Sequence, residues 1–170
     1  LVPLDRPVPA PVPAAPVEVA QEDQEYVPYV TAVRTGTQVD FPNKDKIQHH
    51  LYSVSKPKRF EKPLYASGAH ESVVFDRPGV ITLGCNIHDW MIAYVVVLDT
   101  PYFAKSDRDG QATMNGLEPG RYRLEIWHPR LGKSVEQEVL VPAPAPLSVT
   151  LALKPDRRIR RAPDGKTGGY

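Results

Sequence analysis

The chain has 170 residues, with 21 Lys and Arg against 20 Asp and Glu and a formal net charge of +1. That length suits one large domain or two small ones, and the charge balance gives no overall pull toward nucleic acid. Nineteen prolines and eight tyrosines, with no apolar 3.6-residue period held for three turns, argue against a helical architecture and predict an all-β protein.

Residues 1–16 are dominated by Pro, Ala and Val, which favours an extended or disordered segment without a core of its own. Val17–Val19 and Tyr26–Val30 are short, proline-interrupted strand candidates suited to a sheet edge. A firmer block follows. Ala32–Arg34 leads into a turn at Thr35-Gly36, and Thr37–Phe41 alternates as a half-buried strand. Pro42–Asp45 breaks that strand, and Ile47–Val54 returns to an extended pattern containing His49 and His50. Lys56–Pro63 reads as a basic loop. Ser72–Phe75 is another strand, closed by a turn at Asp76–Gly79. Val80–Leu83 and Ile92–Leu98 are β-branched runs, the second of core-strand length and too short to span a membrane.

After Thr100-Pro101 the character shifts. Asp107–Gly110 is a turn, Arg121–Trp127 alternates between polar and apolar, and Glu136–Val141 and Leu147–Leu153 complete the strand candidates. Residues 17–100 are thus expected to form one β-domain. Residues 101–154 would form a small second β-sandwich, or an extension packed on the first. Residues 155–170 would be a basic, mobile tail. The chain starts with Leu and its first residues do not resemble a signal peptide, so targeting information is expected to have been removed by processing.

Between the two β-branched runs lies Gly84-Cys85-Asn86-Ile87-His88-Asp89-Trp90-Met91, which holds the protein's one cysteine, so an internal disulfide framework is excluded. Taken singly, a lone Cys is usually an inert core residue and a lone strand His is usually structural. Here a thiolate, an imidazole and a thioether fall within one short loop. Soft sulfur suits Cu(I) and imidazole accommodates copper in both oxidation states, so the set favours copper. A trigonal His2Cys site with a long axial Met needs one more histidine from elsewhere in the chain. His49 and His50 offer it at the head of a strand, and only one of two neighbours on a strand can face the loop. The residues alone leave His49 and His50 as alternatives.

The upstream Asn-x-acidic-x-x-x-His of Asn43 to His49 and the downstream Cys-x-x-His-x-x-Met of Cys85 to Met91 together resemble the cupredoxins. The short downstream loop looks most like that of amicyanin, from which it departs by carrying Asp89 and Trp90. More widely, Val27 to Leu153 is similar to periplasmic cupredoxin-like proteins of the methylamine-utilisation type. Asp107 to Tyr122 looks like a carboxypeptidase regulatory-like, or transthyretin-like, β-sandwich. The resemblance implies a Greek-key β-sandwich followed by that smaller one. It implies a mononuclear copper site at His49, Cys85, His88 and Met91, and an Asn43 that braces the site by bonding across to the strand bearing the Cys.

A non-enzymatic electron carrier in the periplasm is therefore expected, exchanging single electrons with a redox partner such as a cytochrome or an oxidoreductase. Lys44, Lys46, Lys56, Lys58, Arg59 and Lys62 offer a basic rim that would steer an acidic partner, or simply a solvated loop. Copper storage, delivery or sensing by the same ligands is the main alternative. A scaffolding β-protein with a vestigial site is the other.

Overall fold

The computed structural model describes residues 1–12 and 15–156, in which every regular element is a strand. There are thirteen: β1 (Val2–Pro3), β2 (Val17–Glu18), β3 (Ala20–Glu22), β4 (Glu25–Val27), β5 (Val30–Arg34), β6 (Thr37–Pro42), β7 (His49–Val54), β8 (Arg59–Tyr65), β9 (His70–Phe75), β10 (Gly79–Gly84), β11 (Ile92–Leu98), β12 (Gly120–Ile126) and β13 (Val135–Val141). The chain divides into two compact units, Pro11–Asp99 and a second formed by Leu1–Ala10 with residues 100–156. Most of the expected basic tail lies outside the described residues. Among the described residues no helix is long and apolar enough to cross a membrane.

The Pro11–Asp99 unit is all-β. A five-stranded sheet runs β5-β11-β10-β7-β8, a three-stranded sheet β2-β6-β9, and β3-β4 is a separate hairpin. The alternation expected for Thr37–Phe41 is realised in β6, where Thr37, Val39 and Phe41 are buried and the residues between them are half-buried. In β11, Ala93, Val95 and Val97 are the buried set. One cluster draws Val39, Phe41, Val73 and Phe75 from the three-stranded sheet and Val33, Leu51, Ile81, Leu83, Ala93, Val95 and Val97 from the five-stranded one. The two sheets therefore pack face to face as a sandwich, with period-2 patterning selecting the inner face of each strand. Cys85 and Met91 belong to the same cluster.

Two elements of this unit differ from the sequence reading. The basic stretch read as a loop contains β8, whose Arg59 to Lys62 pair with Val54 to Leu51, with a bulge between His49 and Leu51. It is the outermost strand of its sheet. An arginine, a lysine and Pro63 are suited to such an edge, where they oppose unwanted pairing, and that composition hides the strand in sequence. The hairpin β3–β4 was also not foreseen as one. It turns at Asp23 and Gln24, both at positive φ (54° and 58°), and pairs Gln21 with Tyr26.

The second unit holds, among its described residues, one three-stranded sheet in the order β1-β12-β13. Its edge comes from the far end of the chain, Val2 and Pro3 pairing with Arg123 and Tyr122. Arg6 clamps the segment, donating to the Tyr122 hydroxyl (2.6 Å) and to the carbonyls of Glu118 and Pro119 (both 3.0 Å). The Asp5 carboxylate accepts the Arg121 amide at 3.0 Å. Leu147–Leu153, expected as a strand, makes no ladder; beyond its end the Lys154 amide donates to the Arg130 carbonyl at 3.0 Å. The run 142–146 before it has three prolines, each without an amide proton to begin a pairing.

Candidate metal centre

Two segments of the Pro11–Asp99 unit converge on one cluster. The first is the turn from Asn43 into β7. Asn43 is buried, and its side-chain amide donates to the carbonyls of Ile47 (2.8 Å) and Tyr65 (3.1 Å), while its Oδ1 accepts the Asp45 amide at 3.0 Å. This is an Asx turn that pulls residues 43–47 into a tight bend. The bend delivers His49 into the interior, where it is 0% exposed. These bonds close the turn on itself and on β8; they do not reach across to the strand bearing Cys85, as the resemblance had implied. The reason is local: Ile47 and Tyr65 present buried carbonyls that need donors, and Asn43 is beside both.

The second segment is the loop from β10 to β11. The two strands pair over six positions, from Gly79 opposite Val97 to Gly84 opposite Ile92, so the loop leaves and returns at one place. It is pinched by the Met91 amide donating to the His88 carbonyl (3.0 Å) and the Ile92 amide to the Trp90 carbonyl (2.9 Å). Cys85 and Met91 point into the core, whereas Asn86, Ile87 and Asp89 are exposed and His88 is half-buried. At the loop's base, Gly84 faces the Tyr52 ring so closely that a Cβ there would lie 2.8 Å from it. The Tyr26 hydroxyl spans from the Gly84 carbonyl to the His50 carbonyl, 3.0 Å from each, and so links β10 to β7. Burial pushes the Tyr26 pKa well above the ordinary tyrosine value, so the hydroxyl remains a donor.

Where the segments meet, Cys85 Sγ and one imidazole nitrogen from each of His49 and His88 lie within 4.8 Å of one another. Cys85 Sγ is 3.9 Å from His88 Nδ1, and the two imidazole rings stand 5.0 Å apart between centroids. His49 Nε2 is taken up by Asp45 Oδ2 at 2.7 Å. His49 Nδ1 is buried and, among the described residues, has no hydrogen-bond partner. A buried polar nitrogen without a partner costs stability unless something else occupies it, and an electron-pair acceptor such as a metal ion would do so. A thiolate with two imidazoles is a donor set that fits copper. His50 lies outside this group. Its Nε2 meets Glu61 Oε1 at 2.9 Å, although its Nδ1 is also buried without a partner among the described residues. Met91 is buried beside the loop, held in the core cluster.

The residues around the cluster were less legible. The Trp90 ring lies beside that of His88, tilted by 48° with centroids 5.1 Å apart, and its indole nitrogen donates to the Gln24 carbonyl at 3.0 Å. Asp45, read from sequence only as a turn former and as the acidic member of the upstream motif, is the carboxylate that holds His49. Its position four residues before the histidine was the available signal. The proposed basic rim is partly neutralised, since Lys44 pairs with Glu18 (2.6 Å), Lys58 with Asp76 (2.9 Å) and Lys62 with Glu71 (2.8 Å).

One cysteine sulfur and two imidazoles gathered in a β-sandwich form a group that could hold a soft metal ion. No protein-family model matches the chain, and no curated protein matches it. Among solved structures it is similar to a mutant of amicyanin in its reduced Cu(I) form at pH 4, with 21% identity over 51% of this chain and 86% of that one, at a TM-score of 0.46. It is also similar to a purple cupredoxin from Nitrosopumilus maritimus, at 23% identity, 48% and 99% coverage and a TM-score of 0.44. A third is a copper-containing nitrite reductase from Thermus scotoductus, at 25% identity and a TM-score of 0.46, covering 57% of this chain but only 25% of that enzyme.

Proposed function

We propose that this chain binds one copper ion through His49, Cys85, His88 and Met91 and serves as a single-electron carrier in the periplasm. The observation that carries this reading is the cluster itself, one donor atom from each of His49, Cys85 and His88 within 4.8 Å of one another, with His49 Nδ1 buried and without a hydrogen-bond partner among the described residues. Copper bound there would supply a one-electron couple.

The chain's own residues supply the rest. His49 and Cys85 sit in the closely packed core and Asn43 closes the turn before His49, so the donors are held in one arrangement. A frame that resists rearrangement suits a carrier that must return to the same geometry in each state. His88 is half-buried, at the rim of the loop, and is the ligand through which a partner would approach. The partner would be a redox protein, a cytochrome or an oxidoreductase. With three of the six proposed steering cations already paired, electrostatic steering is expected to be weak.

Electron self-exchange between the oxidised and reduced forms, followed by NMR line broadening, tests the carrier role. Fast exchange with no loss of metal is the expected result. Slow exchange with ready release of copper to an acceptor protein would instead favour storage or delivery.

A further inference from the structure

The hairpin β3–β4 is bonded to both of the converging segments. Its turn residues Asp23 and Gln24 give their amides to the Asp45 carboxylate, each at 2.8 Å, and the Gln21 carbonyl accepts the Lys44 amide at 2.8 Å. Toward the other segment, the Gln24 carbonyl accepts the Trp90 indole N–H at 3.0 Å. Tyr26 reaches both segments through one atom. Its hydroxyl stands 3.0 Å from the His50 carbonyl and 3.0 Å from the Gly84 carbonyl.

Those two carbonyls lie where main-chain pairing gives out. Gly84 ends β10, and its partner on β7 is Tyr52. His50 falls at the bulge, where the β7–β8 register shifts between His49 and Leu51, and a bulged residue is left out of the ladder. Each carbonyl also adjoins a member of the cluster, since Gly84 precedes Cys85 and His50 follows His49. Tyr26 is 3% exposed, and the buried Gln21 donates its side-chain amide to the same hydroxyl at 3.5 Å. A phenol has one proton to give, so the two carbonyls share it. Tyr65 offers a contrast. It too is buried, but its hydroxyl donates at 3.1 Å to the carbonyl of Phe41 on β6, which belongs to neither segment.

We propose that Tyr26 is a positioning residue that fixes the spacing of the two segments, its hydroxyl holding the main chain beside His49 to the main chain beside Cys85. The purpose of that spacing rests on the copper reading, but the restraint itself can be measured in metal-free protein.

The experiment compares Tyr26→Phe and Tyr65→Phe with the wild type, all as full chains. In metal-free protein, amide hydrogen exchange at Met91 and Ile92, whose N–H groups close the loop onto His88 and Trp90, is read against that of Val95 and Val97 in β11. Tyr26→Phe should speed Met91 and Ile92 selectively, by roughly 2- to 10-fold for the loss of one hydrogen bond. On titration with Cu(II), its affinity should fall by about 10-fold and its thiolate-to-copper band should move. Tyr65→Phe should lose overall stability with no selective change in the loop and no movement of the band. Tyr26→Phe without selective exchange, or with wild-type affinity and band, overturns the proposal, and so do equal loop and band changes in the two variants. If Tyr26→Phe does not fold, the wild type decides: replacing the Tyr26 hydroxyl proton by deuterium should shift the 13C signals of both the Gly84 and the His50 carbonyls, and a shift at only one overturns the proposal. Selective exchange in a chain that has no affinity for copper would remove the copper reading alone.

Discussion

The two segments that meet at Cys85 and His49 achieve order by different means. The 43–49 turn is held by side chains, with Asn43 and Asp45 capturing backbone amides and carbonyls, and it ends in a histidine that is 0% exposed. The 85–91 loop is held mainly by its flanking strands, which meet at Gly84 and Ile92, and much of its outer surface is open to solvent. The buried half sets geometry; the open half gives access. Substitutions in the first should therefore change both stability and metal binding, and substitutions on the outer face of the second should change neither.

The largest contrast is expected between adjacent histidines. His49→Ala should lower Cu(II) affinity by more than the roughly 10–100-fold typical of an outer partner. His50→Ala should leave affinity within that range, because His50 meets Glu61 and stands outside the cluster. Isothermal titration of the two variants checks this, and equal losses would contradict the assignment. Next is Asn43→Ala, which leaves the Ile47 and Tyr65 carbonyls without their side-chain donor. A loss of about 1–3 kcal/mol in denaturant unfolding is expected for such buried groups. Smallest is Ile87→Ser on the exposed side of the loop, where the stability change should stay within about 0.5 kcal/mol and copper affinity should not move. A large effect there would mean that the outer face is not the permissive half.

Much of this asymmetry was legible from residue order. The β-branched runs around Cys85 announced two paired strands with a loop between them, because pairing and burial are what such runs are suited to. The preference for His49 over His50 came only through the family resemblance of the Asn43 to His49 motif. What stayed hidden depended on contacts between distant positions. Nothing in Asp23-Gln24 signals that its amides meet Asp45, or that Trp90 reaches the same turn. β8 was masked by its arginine, lysine and proline, and Val2-Pro3 gives no local hint of pairing with β12 more than a hundred residues away. Leu147–Leu153 shows the converse, an alternating pattern that found no ladder. Alternation describes which face a strand would bury, but not whether a neighbour is there to pair with it.

The most direct test of the central claim is the visible spectrum of the purified protein after addition of one equivalent of Cu(II), beside that of Cys85→Ser. The account predicts an intense thiolate-to-copper band in the wild type that is absent from the variant. A folded wild-type protein without that band, or a Cys85→Ser variant that retains it, would contradict the account.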